Sequence, residues 1–293
     1  MATIVDVARL AGVTPTTVSR VINNRGYISE KTKKRVQEAM DELGYQPNEI
    51  ARSLTKQKSN TIGVIVPHIS HPYFAKLISN LENEAAKKDY KIILCNSKEK
   101  AEKEKQYLDM CKSNRVAGII ICSGNVESNK INTGGIPVVL LEKNFEEGKL
   151  GIQCDNYQGG KLATEHLIEC GCKKILHLSG VIDEEMPADN REKAFIDVCS
   201  KNEIEYFIKK YDIDTYNQMN YYDYIKAALN EIEGVDGIFA SSDLIAAQVI
   251  QVCNEIKIRI PEDIKLVGFD DVDISQLTTP RITTVHQPIK EMA

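Results

Sequence analysis

No apolar run in this 293-residue chain approaches the roughly 20 residues needed to cross a bilayer. The opening residues, MATIVDVARLAGV, include an acid at Asp6 and fit neither a secretory nor a transit signal, so a cytoplasmic protein is expected. There is no CxxC pair and no Cys/His grouping at zinc spacing. His68 and His71 have no acidic or cysteine partner at ligand spacing, so neither a metal nor a cofactor is expected. GxGxxG, P-loop, HExxH and GxSxG patterns are all missing, which argues against an enzyme. With 42% hydrophobic and 27% charged residues, the composition is that of a folded globular chain rather than a disordered one.

Eight cysteines are present, at 95, 111, 122, 154, 170, 172, 199 and 253. They are scattered, and several sit in apolar runs such as IILCN and GIIICS, so buried thiols acting as small hydrophobes are expected rather than a disulfide framework. The net charge of −5 is unevenly spread. Residues 1–58 hold ten Lys/Arg and six Asp/Glu, a balance of +4, and the remainder carries −9. A basic head on an acidic body suggests a polyanion at one end and a different partner at the other.

Near the amino terminus Thr3 and Asp6 form a capping-box pair, followed by Ile4, Val7, Ala8 and Ala11 on one helical face. Gly12-Val13-Thr14 makes a turn; Thr14 caps a second helix and Pro15 takes its first position. Val18, Val21 and Ile22 point inward and leave Thr16, Thr17, Ser19, Arg20 and Asn23 outside. A third helix opens at Ser29, with Val36, Ala39, Met40 and Leu43 on a stripe that Gly44 ends. This is a helix-turn-helix whose second helix carries side chains suited to base edges and phosphates, although an ordinary solvated helix surface has the same composition. In YQPNEIARSLTKQKSN, Asn48 caps a segment of about two turns with Ile50, Ala51 and Leu54, too short to be stable alone and therefore able to order on DNA.

The segment TIVDVARLAGVTPTTVSRVINNRGYISEKTKKRVQEAMDELGYQPNEIARSL resembles the headpiece and hinge of the LacI/GalR family of bacterial transcription repressors. The resemblance implies that Thr16, Thr17 and Arg20 lie on the recognition helix, and Ser19 and Asn23, left outside on the same stretch, are further DNA-binding candidates. It also implies that Leu54 is the apolar wedge that enters the minor groove and bends the operator, and Ala51 on the same short segment is a further DNA-binding candidate. Arg25-Gly26-Tyr27 departs from relatives that present a basic side chain at the position of Gly26, with Arg25 available as a substitute.

From Thr61 the pattern becomes strands alternating with helices. TIGVIVP, YKIILCN, VAGIIIC, PVVLLE and GIQCD read as strands buried on both faces, the first four parallel. KKILHLSG, EYFIKKYD, GIFASSD and IKLVGFDD repeat the alternation. The expected fold is thus an all-α headpiece plus an α/β effector domain of two doubly wound lobes, of the periplasmic-binding-protein-like type that the resemblance implies. Its expected boundaries are residues 1–47 (headpiece), 48–59 (hinge and linker), 60–157 (first lobe), 158–281 (second lobe) and 282–293. The last stretch, ITTVHQPIKEMA, resembles a strand crossing back to the first lobe, after which family members continue; either the sequence is truncated at Ala293 or the lobes close with an exposed sheet edge.

Ligands in such sheets bind beyond the carboxyl ends of the strands. Candidates there are Tyr73 and Phe74, which could equally be core; Glu142; Asp243, also a potential helix cap; and Asp270, also a potential turn former. The resemblance adds Arg191, in an RxxGF-like element where Ala194 replaces a glycine, although a surface ion pair is the plainer alternative. Glu142-Lys143 stands where many relatives place an arginine. Three functions compete. A repressor dimer whose affinity for a near-palindromic operator is set by a sugar-like effector between the lobes fits best. A transport-type solute-binding protein predicts a secretory signal and no basic headpiece. An enzyme using Asp270 and Asp271 is disfavoured because adjacent strand residues point to opposite faces.

Overall fold

The computed structural model describes residues 2–46, 59–122, 133–143, 150–182 and 186–293. The chain divides into two units, residues 1–59 and 60–293.

In the first unit, α1 (Ile4–Ala11), α2 (Pro15–Ile22) and α3 (Glu30–Glu42) enclose a small core of Val7, Ala8, Ala11, Val18, Val36 and Ala39. Each helix starts on a side-chain cap. Thr3 and Asp6 form the full capping box, Thr14 accepts the Thr17 amide, and Ser29 accepts that of Thr32. Gly12 ends α1 in the left-handed region at φ 60, where a β-carbon is costly. Arg35 reaches back from α3 to the carbonyls of Ala11 and Gly12, placing a cation at the negative end of α1. Leu43 is 36% exposed because it caps α3 rather than continuing its buried stripe. The predicted hinge around Ala51 and Leu54 lies outside the described residues.

The second unit holds two parallel five-stranded sheets. The first comprises β1 (Thr61–Val66), β2 (Lys91–Asn96), β3 (Gly118–Ile121), β4 (Val138–Leu141) and β5 (Gly151–Ile152) in the order β2-β1-β3-β4-β5. Helices α4 (Pro72–Ala86) and α5 (Ala101–Ser113) cover it. The second comprises β6 (Lys174–Val181), β7 (Glu205–Tyr211), β8 (Gly237–Ala240), β9 (Lys265–Asp270) and β10 (Thr283–His286) in the order β10-β9-β8-β6-β7. Its helices are α6 (Asn156–Glu169), α7 (Asp189–Lys201), α8 (Ile213–Gln218), α9 (Tyr222–Glu231), α10 (Asp243–Glu255) and α11 (Ile274–Leu277), and α12 (Ile289–Met292) follows.

Burial on both faces holds for inner strands such as β8, whose four residues are all buried, but not for the edges. Leu94 of β2 is 37% exposed and Ile152 of the two-residue β5 is 36% exposed, since each edge strand has a single neighbour. The stretch read as a crossover strand pairs with β9 in the second sheet, and the return is made after it: Ile289 and Met292 of α12 pack with Tyr73, Phe74 and Leu77 of the first lobe. All eight cysteines are free; Cys170 is exposed and Cys154 half-buried, the other six buried.

Candidate functional site

A cleft with about 860 Å³ of empty space, open solvent included, lies where the carboxyl ends of the strands of both sheets converge. Pro67, Cys122 and Glu142 reach it from just beyond β1, β3 and β4; Ser179, Tyr211, Ser241 and Asp270 reach it from the ends of β6, β7, β8 and β9. Tyr73 and Phe74 on the first turn of α4 and Arg191 on the first turn of α7 complete the walls. Parallel strands put their last residues on one rim, which is why side chains far apart in sequence meet here.

Arg191 is the centre of the polar network. Its Nε donates to Asn156 Oδ1 at 2.7 Å, its Nη1 donates to the Ser241 carbonyl at 2.6 Å, and its guanidinium stacks 3.5 Å from the Phe269 ring centroid. Asn156 is held in turn by Glu142, which accepts from Asn156 Nδ2 at 3.2 Å and from the Cys154 amide. The alternative of a surface ion pair is set aside, because Arg191 is 6% exposed and its partners are neutral. Close packing of α6 on α7 fixes it further: a β-carbon at Gly160 would come within 2.6 Å of the Arg191 carbonyl oxygen.

Asp270 is 3% exposed and accepts from Gln287 Nε2 at 2.6 Å. Burial pushes its carboxyl up to about 8, although the Arg191 charge pulls it down. Glu142 and Asp270 both have positive φ, 49 and 118, backbone conformations costing about 1–3 kcal/mol that cluster where function over-determines structure. His71 caps α4 with its Nδ1, and burial lowers it to about 4, so it is neutral near pH 7. Tyr73 Oη and Gln287 Oε1 are buried on the cleft without a hydrogen-bond partner.

Of the predicted effector residues, Tyr73, Phe74, Glu142, Arg191 and Asp270 line the cleft. Asp243 does not. It is fully buried at the start of α10, where its oxygens accept the Val272 amide at 2.9 Å and the Thr284 hydroxyl at 2.6 Å, tying β10 to the segment after β9. Asp271 turns away to His286 at 2.9 Å, and Asp212 caps α8. Sequence reasoning missed Glu99, Asp189, Gln287 and the tyrosines 211, 216 and 221. The tyrosine-rich run YDIDTYNQMNYYDY was the one visible signal.

On the first unit, Thr16, Arg20 and Arg25 are exposed, while Thr17, Ser19 and Asn23 are half-buried. Thr17 shares a hydroxyl contact with Thr14 at 2.9 Å, and Asn23 Nδ2 donates to the Ser19 carbonyl at 2.8 Å, so these two are partly occupied within α2 and its cap.

The family model described as bacterial regulatory proteins, lacI family, matches residues 3–48, and a periplasmic binding protein-like domain matches residues 164–293. The sucrose operon repressor of Streptococcus mutans is 38% identical over the whole chain, which spans 90% of that protein. The ribose operon repressor of Halalkalibacterium halodurans is 37% identical, again over the whole chain and 87% of that protein. Among solved structures, a periplasmic binding protein/LacI transcriptional regulator from Alkaliphilus metalliredigens, complexed with D-xylulofuranose, aligns with TM-score 0.70 and 34% identity, covering 80% of this chain and 86% of that one. The lac repressor dimer bound to operator shares the fold, with TM-score 0.87 at 24% identity over 99% of this chain and 89% of that one. With a helix-turn-helix unit and a two-lobed unit around one polar cleft, the chain belongs to the lacI family of bacterial regulatory proteins, DNA-binding regulators of transcription.

Proposed function

We propose that this chain is a cytoplasmic repressor, acting as a homodimer on a near-palindromic operator, and that a carbohydrate in the cleft releases it. The observation that carries this reading is the cleft itself: Arg191, Asp270 and Glu142 are held by the fold, while Tyr73 Oη and Gln287 Oε1 are without a hydrogen-bond partner in a lining that also includes Phe74. Aromatic faces suit the apolar side of a sugar ring, and fixed donors and acceptors suit its hydroxyls. The relatives named for sucrose and ribose operons support the same class.

A ligand touching walls from both sheets favours one arrangement of the lobes. If it binds the arrangement incompetent for DNA more tightly, operator affinity falls by that ratio of affinities. On the DNA side, Thr16, Arg20 and Arg25 are assigned to the groove, with Thr17, Ser19 and Asn23 at its margin and two half-sites read by two copies. Leu54 is assigned to the minor groove on the family pattern alone, with Ala51 a DNA contact on the same segment. A thermal-shift screen of free sugars, sugar derivatives and nucleobases tests the effector class: a sugar should raise the melting temperature, and a response to nucleobases alone would overturn it.

A further inference from the structure

The described lining of the cleft is unbalanced in charge. Glu99, Glu142 and Asp189 border it, Asp270 is largely protonated near pH 7, and Arg191 is the one Lys or Arg among the described lining residues. His71 adds no charge near pH 7, and the neighbouring Lys210 is paired with Glu192 at 3.1 Å. Glu142 acts on the cleft as a field, helping to push the Tyr73, Cys122 and Cys154 groups up. The arginine offers little against the carboxylates. A phosphate is clamped by two parallel N–H groups of a guanidinium, but here Nε is spent on Asn156, Nη1 on the Ser241 carbonyl, and the ring face on Phe269. Three of its five N–H groups remain, so what limits it is its single positive charge against the carboxylates of the wall rather than a lack of donors.

Building on the carbohydrate reading above, we propose that the cleft selects by charge, accepting an uncharged polyhydroxyl ligand and turning away its phosphorylated or carboxylated counterpart. A sugar phosphate brings nearly two negative charges near pH 7 into a wall where, among the described residues, three carboxylates face the single charge of Arg191. The neutral sugar finds Tyr73 Oη, Gln287 Oε1 and the carboxylates as partners for its hydroxyls.

The test is calorimetric titration of the full chain with matched pairs: D-ribose and D-ribose 5-phosphate, D-fructose and D-fructose 6-phosphate, sucrose and sucrose 6-phosphate. In at least one pair the free sugar should bind, and its phosphate at least about tenfold more weakly. Raising the salt should narrow the gap by screening the repulsion, and Glu142→Gln should narrow it too. A phosphate that binds as tightly as its free sugar, or whose affinity falls with added salt, overturns the charge selection and leaves the carbohydrate reading standing. Silence from every pair overturns both.

Discussion

Asp270 carries a prediction that its neighbours do not share. The fold holds its carboxyl protonated up to about 8, against an ordinary 3.8. The proton therefore favours the folded state below the unfolded value, and that advantage is lost as pH rises from about 4 to about 8. Asp243, pushed up to about 6, has the same sign but finishes its change earlier. His71 and His177, lowered to about 4, act in the opposite direction: their neutral forms favour the fold above the ordinary 6.5, and this is lost as pH falls toward 4. Denaturant melts of Asp270→Asn should consequently lose the decline between about pH 6 and 8 and keep the acid limb. An unchanged decline would assign it to other groups. Arg191→Ala should abolish ligand-induced thermal stabilisation, because it removes a donor and frees Asn156 and the Ser241 carbonyl at once. Operator affinity without ligand should stay near that of the parent.

At the scale of elements, capping and close packing matter more than any single contact. Thr14→Ala removes the side-chain cap of α2 and should cost the first unit about 1 kcal/mol, read as a lower denaturation midpoint by circular dichroism. Gly160→Ala forces a methyl group against the Arg191 backbone, so it should weaken ligand binding and destabilise the second unit by about 1–3 kcal/mol. Ligand affinity equal to the parent's would show that the α6–α7 approach does not position Arg191.

Local chemistry made these elements readable in the sequence: Thr3, Thr14 and Ser29 are caps, Gly12 a terminator, and apolar alternation marked every strand that ends at the cleft. Geometry that depends on distant partners was not readable. Asp243 looked like Asp270 in one dimension, yet one is consumed by Thr284 and Val272 while the other faces the cleft. Gln287 gave no local signal because its role depends on the chain turning back after β10. The edge strands β2 and β5 carried the same apolar pattern as inner strands, and only sheet order separates them.

For the whole molecule, two activities must be coupled, one in each unit. Operator binding should fall steeply with salt as phosphate-bound counterions are released by the basic first unit. Ligand binding by an uncharged sugar should barely respond, so the two can be titrated independently in one preparation. The most direct measurement is fluorescence anisotropy on a duplex that the protein itself selects from random sequence. Affinity is recorded with and without the sugar that raises the melting temperature, for the parent and for Arg191→Ala. The account predicts that saturating sugar weakens the parent's affinity by at least about tenfold and leaves the Arg191→Ala variant unmoved. An affinity in the parent that is the same with and without the bound sugar would contradict it.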